Sequence, residues 1–161
     1  MKKALLLCAA AVMLLASCGT MQKAATTTTS STTTTSSSTD GQAAGRALKA
    51  LYTQYKADGK FDATNLSNIA NTMLLIQNCK GLKTSFKDSN YWKSFAQGLI
   101  LGSDNLVTQQ VSNTVTSQLS NMMQNIDTEK LETAGQNASQ AASAAASAAS
   151  SLKSIFSLFS K

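Results

Sequence analysis

No histidine and no proline occur anywhere in the 161 residues, and only three cysteines do. Without imidazole the chain lacks a base that titrates near neutrality and the usual ligand set for zinc. The lack of proline suits helices, whose interiors proline breaks. Carboxylates are scarce as well: Asp40, Asp58, Asp62, Asp88, Asp104, Asp127, Glu129 and Glu132 are all of them. Nearly every one sits at a turn or a predicted helix start, where capping and the helix dipole account for it. Asp58-Gly59-Lys60-Phe61-Asp62 matches part of a calcium loop, but the later ligands, including the terminal glutamate, are missing. No glycine-rich phosphate loop is present. These absences predict a chain with no cofactor, no metal and no catalytic residues, hence not an enzyme.

The first residues carry an address. Met1-Lys2-Lys3 precedes a run of about thirteen apolar or small residues, Ala4 to Ala16, as a secretory signal requires. The run is shorter than the roughly 20 apolar residues of a membrane span. It ends in Leu15-Ala16-Ser17-Cys18, which resembles the lipobox of bacterial lipoproteins. The resemblance covers about the first twenty residues. It implies cleavage before Cys18, a diacylglyceryl group and a further acyl chain such as palmitate on that cysteine, and attachment to a membrane through lipid. Acyl burial at about 0.8 kcal/mol per methylene makes two or three chains a firm anchor. Gly19 follows, rather than the aspartate of inner-membrane retention, so the resemblance implies the outer membrane. In lipoproteins of the Bacteroidota an acidic run after the cysteine often accompanies export to the surface. None follows Cys18, and the periplasmic face is expected.

Cys8 falls within the signal and Cys18 at its end, leaving Cys79 alone in the mature domain, where no internal disulfide can form. Its spacing from Leu75 and Ile76 predicts burial. Basic residues outnumber acidic ones, 14 to 8, and part of that excess, Lys2 and Lys3, leaves with the signal. Such mild basicity suits anionic lipid or cell-wall polymer and falls short of a nucleic-acid binder.

Beyond the signal, 1–17, every residue from Thr26 to Thr39 is serine or threonine, a composition with almost nothing to bury. Residues 18–40 are therefore expected to be a flexible linker, with an average span of about 25 Å. An all-α domain is expected over 41–127, as a small four-helix bundle. Its stripes are Ala44, Leu48, Leu51, Tyr52 and Tyr55; then Leu66, Ile69, Ala70, Met73 and Leu74, capped by Asp62 or Thr64 and stopped at Gly81. A third follows in Tyr91, Trp92, Phe95, Ala96, Leu99 and Ile100, entered through Asp88-Ser89-Asn90 and left near Gly102. The fourth is Val107, Val111, Val115, Leu119, Met122, Met123 and Ile126, capped by Ser103 or Asp104. Residues 128–161 read as an Ala/Ser-rich helical tail whose small side chains give little reason to pack anywhere.

Three features are candidate sites. Cys18 is the lipidation site. Lys80, Lys83, Lys87 and Lys93, interleaved with Phe86, Tyr91 and Trp92, form a basic and aromatic cluster suited to an anionic surface, a cell-wall glycan or an acidic partner. Leu152, Ile155, Phe156 and Phe159 form an apolar stripe suited to a membrane surface, to self-association or to docking on the bundle. Gly98-Leu99-Ile100-Leu101-Gly102 has the spacing of close helix packing, although a helix end at Gly102 explains it more simply. Together these features predict a membrane-anchored, noncatalytic binding or accessory module of the cell envelope, with an envelope protein or the cell wall as partner and no nucleic acid. The alternatives are an envelope enzyme working without histidine, or a membrane-active or self-associating C-terminal helix carried on a bundle.

Overall fold

The computed structural model describes residues 32–85, 87–128 and 138–160. Among these the fold is all-α, with five helices and no strand: α1 Thr32–Asp58, α2 Leu66–Thr84, α3 Ser89–Gly102, α4 Gln109–Asn125 and α5 Ala138–Leu158. Cys18, Phe86 and the first 31 residues lie outside the described residues.

Local chemistry sets the helix ends. Gly59 takes φ +68° and its N–H donates to Tyr55 O at 2.9 Å, closing α1 in the left-handed turn that glycine favours. Asn65, rather than Asp62 or Thr64, caps α2 by accepting from the N–H groups of Ser67 and Asn68. Asp62 instead folds the approach, accepting from the N–H and hydroxyl of Thr64. α2 runs through Gly81 to Thr84, so that glycine does not stop it. Asp88 caps α3 as expected, accepting from Asn90 and Tyr91. Neither Ser103 nor Asp104 caps α4: Ser103 Oγ accepts from Val107 N–H within the connection, and α4 starts after Thr108.

Two boundaries differ from expectation. α1 begins inside the serine and threonine run, nine residues before Gly41, and Ser37 is fully buried there. Low apolar content argued against order, but small side chains are what a close helix contact needs. The tail, expected to lack a fixed seat, is α5, which packs on α2 and α4 and buries Ala144, Ala145, Ala148, Leu152, Ile155 and Phe156.

The most extensive contact is between α1 and α3, and glycines make it. A Cβ on Gly41 would strike Phe95 O and press Leu99 N; one on Gly45 would meet Leu99 O and Ser103 N. Reciprocally, a Cβ on Gly98 would strike Ser38 O and press Gln42 N, and one on Gly102 would strike Gln42 O. One turn forward along α1 is thus one turn forward along α3, so the two helices run parallel, backbone against backbone. The Gly98 to Gly102 spacing therefore serves packing as well as ending the helix. α2 lies against α1 on one side and against α4 and α5 on the other, and α3 also meets α4.

The core contains Leu48, Leu51, Leu75, Ile76, Leu82, Phe95, Leu99, Leu119, Met122, Met123, Leu152 and Phe156, all essentially without solvent exposure. At the far end Tyr52 and Tyr55 of α1 meet Phe156, with ring centroids 5.5 and 5.0 Å apart. The edge of Phe159 meets Tyr52 at 5.3 Å. α2 turns a different face inward than its stripe predicts. Asn68, Thr72, Leu75, Ile76, Cys79 and Leu82 are buried, whereas Leu66 and Leu74 are 78% and 49% exposed. None of the described helices is long and apolar enough to cross a membrane.

Candidate functional site

α3 ends at Gly102 while α1 continues for several turns, so the outward face of the last part of α1 has α2 on one side and, among the described residues, no helix on the other. The result is an open groove of about 690 Å³. Arg46, Lys49, Ala50, Thr53, Gln54 and Ala57 of α1 form its floor; Ser67 and Asn71 of α2 form one wall, and Leu101, Gly102 and Asp104 the other. Ala50, Thr53 and Ala57 keep the floor low. Leu101 is 69% exposed at the wall, and Leu74 follows Asn71 by one turn on the same side of α2.

The groove's charges are arranged by the turn after α3. Asp104 and Asn105 take φ 56° and 68°, a conformation these residue types tolerate better than others. Lys49 Nζ lies 2.6 Å from Asp104 Oδ2. That hydrogen bond first, and the ammonium charge second, hold the Asp104 carboxyl below its usual range. Arg46 is exposed, and no carboxylate among the described residues pairs with it. The groove thus presents a guanidinium, amides, hydroxyls and one exposed leucine, Leu101, which is recognition chemistry.

The sequence-predicted sites fare differently. Lys80, Lys83, Lys87 and Lys93 do lie at one end, but three carboxylates share it. Asp88 sits between Lys87 and Lys93, Asp40 receives the Tyr91 hydroxyl at 3.4 Å, and Asp127 follows Ile126, whose carbonyl accepts from Lys83 Nζ at 3.2 Å. The cluster is therefore no field of one sign. Trp92 packs half-buried against the core with its indole nitrogen buried. The C-terminal stripe is not an exposed face: Leu152, Ile155 and Phe156 are in the core and Phe159 packs against it. Their apolar area is satisfied by α2, α4 and the tyrosines of α1. Cys18 lies outside the described residues.

Cys79 is buried, as its spacing predicts, and burial first, then the nearby Asp40 charge, push its thiol far above the ordinary range. Such a thiol is a poor nucleophile. Tyr91 is pushed up as well, by burial first and then by Asp40, while its hydroxyl fills the space over Gly81 that a side chain would take. Burial raises the Asp40 carboxyl despite the opposing Tyr91 hydrogen bond. Among the described residues no group of three or more carboxylates and cysteines is placed to hold a metal ion.

Arg46 and Lys49 were not singled out from sequence, and Leu101 and Asp104 only as part of a packing motif and as a helix cap. The available signal was the pair Gly41/Gly45 and Gly98/Gly102, which sets the register of α1 on α3 and so where α3 leaves α1 bare. Comparison with protein-family models, curated proteins and solved structures finds no match to this chain.

Proposed function

We propose that the chain is a noncatalytic binding module of the bacterial cell envelope. On this reading it is held by lipid on Cys18 at the periplasmic face of the outer membrane, and it carries its helical domain behind a short Ser/Thr-rich linker. The observation that carries the binding half is the groove beside α1, where Leu101 of α3 stays in water and Arg46 has no carboxylate among the described residues. Leu66 and Leu74 belong to the apolar stripe that α2 would bury if its pattern alone decided. Their exposure leaves apolar surface for a partner. The anchoring half rests on Leu15-Ala16-Ser17-Cys18 and the signal before it.

The test has two arms. In cells fed a labelled fatty acid, the wild-type chain takes up label and fractionates with the outer membrane, and Cys18→Ala takes up none and leaves it. Label on the Cys18→Ala chain, or none on wild type, defeats the anchor. For binding, Ala50→Trp fills the groove floor, and envelope components co-purifying with the wild-type chain are lost from this variant. Equal recovery by both chains defeats the groove as the binding face.

A further inference from the structure

The stripe of α1 that receives α3 outlasts α3. Gly41, Gly45, Lys49, Thr53 and Ala57 recur at four-residue steps and so form one ridge of α1, which turns about 40° around the helix at each step. α3 covers Gly41 and Gly45 and ends, and Asp104 reaches Lys49 just past that end. Thr53 and Ala57, with Ala50 beside them, are left as the floor of the groove. Resting on the binding-module reading above, we propose that this bare half of α1 seats an acidic amphipathic α-helix of a partner protein. That helix is about three turns long and places small residues on the floor and a carboxylate against Arg46.

Four observations select this occupant. The bare stripe continues an interface already formed inside the molecule, in which a helix lies close on small residues of α1. From Arg46 to Ala57 the floor runs about 17 Å at 1.5 Å per residue, the length over which a docked helix makes its i, i+3/i+4 and i+7 contacts. With Lys49 neutralised by Asp104, the charge left in the lining is Arg46, whose planar guanidinium takes a carboxylate in two parallel hydrogen bonds. Leu101 is exposed at the groove wall, where an apolar flank of such a helix would lie, and Leu74 is exposed one turn beyond Asn71 on the same side of α2.

Shape argues against other occupants. A concave face is not complementary to itself, so a two-fold dimer through this groove would enclose a void. A small molecule would be covered on one side only, unlike the ligands of enclosed pockets, which lose most of their surface to the protein.

The test places a photoreactive benzophenone amino acid at Thr53 in the full chain, in its own cells, and maps the adduct by mass spectrometry. The same probe at Lys93 and at Ser147, both exposed, reports on the other faces. Thr53 is expected to label one segment of one other protein, amphipathic at helical spacing and containing aspartate or glutamate. Arg46→Glu lowers that yield at least tenfold, and changing the partner's carboxylate to lysine restores it. Arg46 is exposed, so circular dichroism and the urea midpoint of Arg46→Glu stay at wild-type values. A Thr53 adduct with lipid, glycan or a second copy of this chain overturns the proposal, as does a yield indifferent to Arg46→Glu. Adducts from Lys93 or Ser147 with none from Thr53 overturn it while leaving the binding-module reading intact. No adduct from any of the three positions overturns both.

Discussion

At the scale of single residues, glycine holds two unrelated posts. Gly98 has ordinary helical geometry, and alanine there would gain roughly 1 kcal/mol of helix propensity. Its added methyl would strike the backbone carbonyl of Ser38, which no rotamer change relieves, and overpacking of this kind costs about 1–3 kcal/mol or more. The overlap outweighs the propensity, so Gly98→Ala should lower stability by about 1–2 kcal/mol, read as a drop in the urea midpoint. Gly59 is the opposite case: φ is +68° and nothing lies within 4 Å of a Cβ. Gly59→Asn should be nearly neutral in the same measurement because asparagine enters the left-handed region readily. Equal losses at the two positions would contradict the seam described between α1 and α3.

Titratable residues give a second prediction at this scale. Cys79 and Tyr91 bind their protons more tightly in the folded chain than in the unfolded one. The stability they contribute is fully present below their ordinary values and is lost as pH rises through the raised folded ones. Urea midpoints should therefore fall on the alkaline side, and Tyr91→Phe should flatten that fall. In a carboxyl carbon-13 titration Asp40 should titrate above the usual range and Asp104 below it. Lys49→Met should carry Asp104 back upward, because the Lys49 hydrogen bond is the largest cause of its shift. An unchanged Asp104 midpoint in that variant would contradict the contact.

At the scale of the element, α5 shows how a weak pattern becomes a fixed helix. Its alanines bury little area each, so its seat rests on Leu152, Ile155 and Phe156 and on the rings of Tyr52 and Tyr55. Phe156→Ala should cost about 3–5 kcal/mol, and a loss below 1 kcal/mol in chemical denaturation would show the helix to be undocked. Helices α3 and α4 were legible because their apolar residues leave one choice of inward face. α2 was not: Leu66, Ala70 and Leu74 compete with Leu75, Ile76, Cys79 and Leu82, and contact with α1, α4 and α5 decides for the latter. α1 was legible from Ala44 onward and hidden before it, because serine and glycine signal a close contact only once the opposing helix is known. The groove was illegible for the same reason. It is a difference between where two helices end, and periodicity along either one does not contain it.

At the scale of the whole molecule, charge and chemistry are divided. α4 carries no charged residue over Gln109–Asn125, and α5 carries Lys153 alone. Most of the described charges lie on α1 to α3 and their connections, and the groove lies there too. Raising salt should therefore leave the stability of the fold nearly unchanged while weakening capture of an acidic partner at Arg46. A melting temperature that falls steeply with salt would contradict the first statement.

The parallel seating of α3 on α1 also has a mechanical side. Thr32 and Ser89 start their helices at the same end, and from there α1 rises about 21 Å to Arg46 and about 38 Å to Ala57. The glycine seam braces this mast at its foot, and the open groove is its crow's nest. What the groove meets is therefore whatever reaches the unbraced half of α1, a helix-length from the end where α1 and α3 start together.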